Sequence, residues 1–166
     1  MEELPWILGG EVGSLPTIYL GMPLGSKSKA WNIWNLVIEK CEKKLTGWIY
    51  QYISLGGRIT LINSVLDALP TYMMSIFPIP NGVIQILDKI RRDFLWIGTE
   101  ENDSTIKHLV KWNKVLWWKK HGGLGVRNLK KHSKALRLKW LWRYSQEPQP
   151  YWGKVIQAKY EKRTSG

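Results

Sequence analysis

Chemistry needs residues that can hold a metal, move a proton or attack a bond, and few of them are grouped here. Metal-dependent phosphoryl transfer requires clustered carboxylates around two metal ions. The aspartates are Asp67, Asp88, Asp93 and Asp103, with no adjacent pair. Asp88 and Asp93 fall on one expected helix but five residues apart, so they point to different sides and read as solvent-facing charges. Glu100, Glu101 and Asp103 cluster in a polar stretch that nothing basic or apolar organises. Zinc needs about four Cys or His ligands at structured spacings. The chain has three histidines, His108, His121 and His132, and one distant cysteine, Cys41. No serine sits in a nucleophile-elbow pattern. Gly122-Gly123-Leu124-Gly125 lacks the GK[ST] of a phosphate loop and the spacing of a dinucleotide fingerprint, so it reads as a tight turn. No cofactor and no catalytic residue is therefore expected.

Binding chemistry is better served. Lys111, Lys114, Lys119, Lys120, Arg127, Lys130, Lys131, Lys134, Arg137, Lys139 and Arg143 interleave with Trp112, Trp117, Trp118, Trp140 and Trp142. Cations neutralise phosphates, and aromatic rings pack or stack on bases. The pattern indicates affinity for RNA or DNA without sequence specificity, since no zinc-finger, RRM or bZIP signature accompanies it. The plainer alternative for each tryptophan is a core position, because an indole buries a large area. The plainer alternative for the cations is a solvated basic face.

The elements that must position these residues are mainly helical. Gly and Pro punctuate residues 4–25. Between them, Thr17 to Leu20 has strand composition, which suits a hairpin or an edge strand. Ser26 or Ser28 can cap a helix running to about Trp48. Its seam is Trp31, Trp34, Ile38, Cys41, Leu45 and Trp48, with Cys41 as a small buried apolar residue. Ser54 to Arg58 reads as a break. A second helix follows from about Ile59 to Leu69, with Ile59, Ile62, Val65, Leu66 and Leu69 on one face, and Pro70 interrupts it. Asn81 can cap a third helix that carries Val83, Ile84, Leu87, Ile90, Arg91, Phe94 and Leu95 and stops at Gly98. Three amphipathic helices in tandem suggest a small bundle. Beyond the polar loop Thr99 to Thr105, Ile106 to Trp112 reads as a short strand and Asn113 to Lys120 as a short helix. Asn128 to Tyr144 reads as a basic helix without a clean apolar stripe, and Tyr151 to Tyr160 as a last helix. The fold class is mainly α, divided into an extended segment (1–25), a helical bundle (26–98) and a basic helical segment (99–166).

Charge follows that division. The net charge is +12, but residues 1–104 hold 9 Lys/Arg against 11 Asp/Glu, while residues 105–166 hold 16 against 2. Such asymmetry suggests a surface for a polyanion, with nucleic acid the commonest partner and an anionic membrane second. Apolar stretches are too short for a membrane span. Met1 to Gly10 carries Glu2 and Glu3 and no cation, so neither a secretory signal nor a transit peptide is expected there. A single cysteine excludes an internal disulfide and suits a reducing compartment.

One stretch reads Gly13-Ser14-Leu15-Pro16-Thr17-Ile18-Tyr19-Leu20-Gly21-Met22-Pro23-Leu24-Gly25. Word for word it resembles the GSLP…YLGLPLG segment of plant LINE-type (non-LTR) retrotransposon reverse transcriptases. Trp48, then Leu55 to Leu66, resembles the following GGR.TLI.SVL block. The similarity continues in order through Leu69 to Phe77, Phe94-Leu95-Trp96, Val110-Lys111-Trp112, Gly122 to Val126, Ala135-Leu136 and Lys139 to Arg143. It runs from about Leu8 to Tyr160. Gly10 stands where the family often has Cys.

The resemblance implies the end of the palm, with Tyr19, Leu20 and Gly21 in a primer-grip-like position, then a thumb-like bundle. A basic part leading towards a zinc-binding and ribonuclease H region follows. It implies that fingers, palm and catalytic aspartates belong before Met1 and zinc ligands after Gly166, so this chain is expected to be non-catalytic. Its partners would be RNA or DNA, contacted by Arg58 and the cations named above, and the missing palm and fingers of a parent polyprotein, with no membrane. The site of action would be intracellular and nuclear, although Lys130-Lys131 alone is too short for a localisation run. Two other readings stand beside this one. The chain could be a protein-interaction module, because a thumb without its palm exposes apolar surface, or a non-functional retrotransposon relic.

Overall fold

The first strand-like run folds back on itself through a turn that includes Gly21. In the computed structural model, which describes residues 13–15, 17–19, 21–25, 31–49, 51–97, 108–146 and 151–161, β1 (Thr17–Tyr19) pairs antiparallel with β2 (Met22–Leu24). Thr17 faces Leu24, Ile18 faces Pro23 and Tyr19 faces Met22. Gly21 sits at φ +77°, a left-handed conformation that suits glycine. A sheet of two strands leaves Pro23 at an edge, where its missing N–H costs nothing. Everything else in regular structure is helical, so the molecule is mainly α with one short hairpin near its start. The expected caps at Ser26 or Ser28, the Gly98 stop, the Thr99 to Thr105 loop and Leu20 itself lie outside the described residues.

The chain packs as two compact units that interleave in sequence. The first comprises Met1–Arg58 and Pro80–Leu109, the second Ile59–Ile79 and Val110–Gly166. In the first unit a 3₁₀ turn, Trp31–Trp34, leads into α1 (Asn35–Thr46), which packs on α4 (Asn81–Trp96). The buried seam is Ile33, Trp34, Val37, Cys41 and Leu45. It therefore differs from the expected one: Val37 is buried, Ile38 is half-buried and Trp31 is exposed. Trp34 and Cys41 leave Val37 and Ile38 on either side of their line, and the helix, which packs on α4, buries the Val37 side. The Trp31 ring lies against Gly82, where a Cβ would come 2.4 Å from it. From α4, Val83, Leu87, Phe94, Leu95 and Trp96 complete the core, and Trp48 meets Phe94 with ring centres 5.8 Å apart.

The two α4 aspartates are not the solvent-facing charges expected of them. Asp88 is ion-paired to the buried Arg91 one turn on, and Asp93 lies 3.0 Å from His108. Burying Arg91 on the apolar face is tolerable only because a carboxylate accompanies it. The expected break at Gly56-Gly57 is instead the first turn of α2 (Leu55–Leu61). Ser54 caps it, its hydroxyl accepting the Gly57 N–H at 3.2 Å. This cap offsets part of the helix penalty of two adjacent glycines.

Arg58 holds the far end of α4. Its Nε donates to the Ile53 carbonyl at 3.1 Å, and its Nη1 donates to the carbonyls of Leu95, at 3.4 Å, and of Ile97. The last carbonyls of a helix lack intrahelical partners and carry the negative end of its dipole. A guanidinium satisfies both needs, and it does so here from a different element.

In the second unit, α2 continues into a π-helical segment, Ile62–Leu66. Ser64 Oγ takes the Thr60 carbonyl at 2.7 Å, competing with the regular ladder, and the Asp67 N–H reaches back five residues to Ile62. A short α3 (Thr71–Met74) packs on α6 (Leu129–Gln146). The expected strand at Ile106 to Trp112 is absent over its described part. Residues 108–111 are irregular and Trp112 opens α5 (Trp112–Val115). Among the described residues no second strand pairs with it. The last helix is α7 (Tyr151–Glu161), whose Trp152 meets Trp140 and Tyr144 at ring-centre distances of 6.0 and 5.6 Å. Among the described residues, no helix is long and apolar enough to cross a membrane.

Arg58→Ala should lower the stability of the chain by about 2 kcal/mol, because it strips donors from three carbonyls at once. Urea midpoints check this. Arg58→Lys should recover little of the loss, since an ammonium cannot reproduce the planar fork.

Candidate nucleic-acid interface

Charge divides between the two units as it does along the sequence. The first unit is neutral, with 10 Lys/Arg and 10 Asp/Glu. The second carries 15 Lys/Arg against 3 Asp/Glu, which accounts for the whole net charge of +12. The one carboxylate of that unit whose side chain is described, Asp67, is buried. Its exterior, as described, offers cations and no competing anion.

The helix α6 displays six of those cations. Asn128 caps it, its Oδ1 accepting the Lys131 N–H at 3.0 Å. Lys130, Lys131, Lys134, Arg137, Lys139 and Arg143 are all exposed. Lys130, Lys134 and Arg137 fall at i, i+4 and i+7, so they form one stripe. Lys139 and Arg143 lie one turn apart on another side. Only Leu129 and Ser133 of this helix are buried. Its second half instead exposes Leu138, Leu141 and Trp142. Lys139 and Arg143 stand among these exposed apolar residues, which is why no apolar stripe is visible in the sequence. Lys130 and Lys131 stand in the first turn, with nothing acidic beside them. Cations are disfavoured at that end of the dipole, so their placement is not explained by helix stability.

A second group lies on the turn before α6. Lys111, Lys114, Lys119 and Lys120 are exposed there, with Trp117 and Trp118 between them. Lys119–His121 is a single 3₁₀ turn that Gly122 ends at φ +79°. The chain then returns along itself. The Gly123 N–H donates to the Trp118 carbonyl at 3.2 Å, the Gly125 N–H to the Trp117 carbonyl at 2.9 Å and the Leu124 N–H to the Val115 carbonyl at 3.2 Å. A Cβ on Gly123 would stand 2.2 Å from the Trp117 oxygen, so only glycine closes this turn. Asn63 ties the turn to the π-helical segment, its Nδ2 reaching the Gly125 carbonyl at 3.4 Å. The expected tight turn at His121 to Gly125 is therefore a built feature.

Several candidate residues lie elsewhere. Arg58 spends its Nε and Nη1 on backbone carbonyls, and belongs to the neutral unit. Tyr19 is exposed on β1 and Gly21 forms the hairpin turn, also in the neutral unit. Arg127 is exposed next to the cap of α6. Core placement, the plainer alternative for each tryptophan, holds for fewer than half. Of the ten described, Trp34 and Trp96 are buried, whereas Trp31, Trp117, Trp118, Trp140 and Trp142 are exposed. Four of those five belong to the basic unit, where local charge density marked the surface more reliably than residue type. Among the described residues, no group of three or more His, Cys, Asp and Glu could hold a metal ion.

His132, on α6, lies 3.4 Å from the Thr71 hydroxyl. Burial pushes its pKa below the ordinary imidazole value, the Arg127 charge pushes the same way, and Asp67 opposes them. It therefore adds no positive charge to the surface at neutral pH.

Over 139 residues, 84% of this chain, the sequence is 38% identical to a protein of Arabidopsis thaliana named "Putative ribonuclease H protein". The chain spans about a fifth of that relative's length, 22%. No protein-family model matches the chain, and no solved structure matches it.

Since the folded chain favours neutral His132, its unfolded form binds the extra proton more readily. Stability should be constant above the ordinary imidazole value of 6.5 and fall as pH drops below it. His132→Gln should flatten that loss, as read from urea midpoints at pH 7.5 and 5.5. An unchanged pH dependence in the variant would remove His132 as its source.

Proposed function

We propose that the chain binds nucleic acid without sequence specificity through the basic surface of its second unit, and supplies no catalytic group of its own. The observation that carries this is the charge of that unit, 15 cations to 3 carboxylates, with the one described carboxylate buried. A surface of that kind attracts a polyanion and releases its counterions on contact. The stripe of Lys130, Lys134 and Arg137 and the turn carrying Lys119 and Lys120 are its principal contacts. Lys111, Lys131, Lys139 and Arg143 add to the field.

The finer reading is descent from a LINE-type reverse transcriptase. The chain then corresponds to the end of the palm, the thumb and the basic connection beyond it, with the primer–template duplex as ligand and the remainder of a polyprotein as partner. The ordered words from Gly13 to Arg143 support this reading. So does a relative whose name is that of a ribonuclease. Tyr19, Leu20 and Gly21 would be the primer-grip-like residues.

Random-sequence DNA duplexes and RNA–DNA hybrids should bind the pure chain with an affinity that falls steeply between 50 and 200 mM salt, on the order of one power of salt per phosphate contact. Replacing Lys130, Lys134 and Arg137 with Gln should reduce the logarithmic salt slope by about one per residue. Fluorescence anisotropy measures both. Absence of binding at low salt, or binding that is flat with salt, defeats the proposal. Polymerase or nuclease activity of the pure chain that EDTA abolishes defeats its non-catalytic part.

One observation favours a second reading. The exposed Leu138, Leu141 and Trp142 of α6, and Tyr151 and Val155 of α7, leave apolar surface that a protein partner could cover. On that reading the isolated chain self-associates at micromolar concentration, and sedimentation velocity should show it. A monodisperse monomer at such concentrations argues against it.

A further inference from the structure

The turn before α6 holds two neighbouring indoles out in solvent. Trp118 is 73% exposed and Trp117 52%. An indole offers a large apolar face, and leaving it in water forgoes one of the largest burial gains available to a side chain. Here the exposure is not fraying. The Trp118 carbonyl accepts the N–H groups of His121 at 2.8 Å and Gly123 at 3.2 Å, and the Trp117 carbonyl accepts that of Gly125 at 2.9 Å. The glycine at 123 exists because nothing larger fits against Trp117. The backbone beneath the rings is fixed while the rings themselves meet solvent.

The surroundings select what such rings could meet. The Lys120 ammonium lies 5.9 Å from the centre of the Trp118 ring. Lys119 and Lys114 are exposed on either side in sequence. An aromatic face beside ammonium groups matches a nucleotide, whose base stacks while its phosphate pairs with a cation. Within a duplex the faces of the bases are already stacked on one another. Apart from a terminal pair, only an unpaired base has a face to offer.

We infer that Trp118, with Trp117, Lys119 and Lys120, is a stacking platform for unpaired bases, which gives the chain a single-strand site beside its duplex-tolerant basic surface. This rests on the nucleic-acid reading above and refines it.

Anisotropy titrations of the full chain with a labelled single-stranded 12-mer and with a blunt duplex test the inference. Trp118→Ala should weaken single-strand binding by about 5- to 100-fold, the range of one lost base stack, and leave duplex binding within about twofold. Trp118→Phe should restore most of the single-strand affinity, because it restores a π face. Should Trp118→Ala also lower the melting temperature, Trp118→Leu decides the question, keeping apolar bulk without a π face. Tyr52→Ala, an exposed aromatic of the neutral unit, should change neither affinity. Equal losses on both ligands, no loss on either, or full function of Trp118→Leu would overturn the inference while leaving the basic surface standing. Trp118-dependent capture by phosphatidylserine vesicles without any single-strand preference would also overturn it. A wild-type chain that binds neither oligonucleotide would remove the parent reading together with this one.

Discussion

Among its described residues the basic half of this chain buries few apolar side chains of its own, and that shortage organises the second unit. α6 has eighteen residues and buries two of them, Leu129 and Ser133. Val115 and Val126 add two small side chains from the turn. The remaining core comes from far upstream: Ile62, Leu66, Pro70, Met73 and Met74, all within Ile59–Ile79. Burial at roughly 25 cal/mol per Å² makes that loan indispensable to a segment so rich in cations. The hydrogen bonds follow the same route. Asn63 holds the Gly125 carbonyl, Thr71 meets His132, and the Trp140 indole N–H donates to the Ser75 carbonyl at 3.2 Å. A chain that must lend a middle segment to its end cannot be cut into consecutive pieces, which is why its compact units interleave.

The same dependence marks the boundary of what could be read from residues in order. Helical periods were legible. The seam of α1 was found at Trp34, Cys41 and Leu45, whereas Asn81, expected as the cap of α4, is its first helical residue and Pro80 precedes it as the cap. The hairpin followed from Gly and Pro flanking a β-branched run. Partnership between elements was not legible. Val37 replaces Ile38 because of where α4 lies, and Asp88 is drawn into an ion pair because Arg91 is buried. The Ser54 cap turned Gly56-Gly57 from a breaker into a first turn. Nothing in the run from Ile106 to Trp112 reveals that residues 108–111 lack a strand partner among the described residues.

The candidate site divides in the same way. The cations were legible as charge density, because charge is a property of residue type. The geometry that makes some of them a surface was not. Arg58 reads as one more cation, yet its donors are committed to three carbonyls, two of them at the end of a helix that begins more than twenty residues later. The glycines at 122, 123 and 125 read as a turn, but only the close approach of Gly123 to Trp117 shows what the turn is for. The signal that could have found it was present: two tryptophans, two lysines and a glycine cluster in succession, where apolar neighbours able to bury the indoles are few.

Exposed tryptophans and a large surplus of cations are separately costly, and their coincidence in one unit is harder to account for by drift in a purely structural segment. Like charges repel, and the described exterior of this unit has no carboxylate to relieve them. Indoles in water forgo burial energy. Lys130 and Lys131 oppose the dipole of the helix they begin. A polyanion that also carries flat aromatic faces removes all three costs on binding: its phosphates supply the missing counter-charges, its bases cover the rings, and anionic oxygens near the start of α6 favour the dipole. Protein partners of ordinary composition would relieve the apolar cost alone. The free chain therefore has the physical character of a surface shaped for a ligand that neutralises and stacks at once.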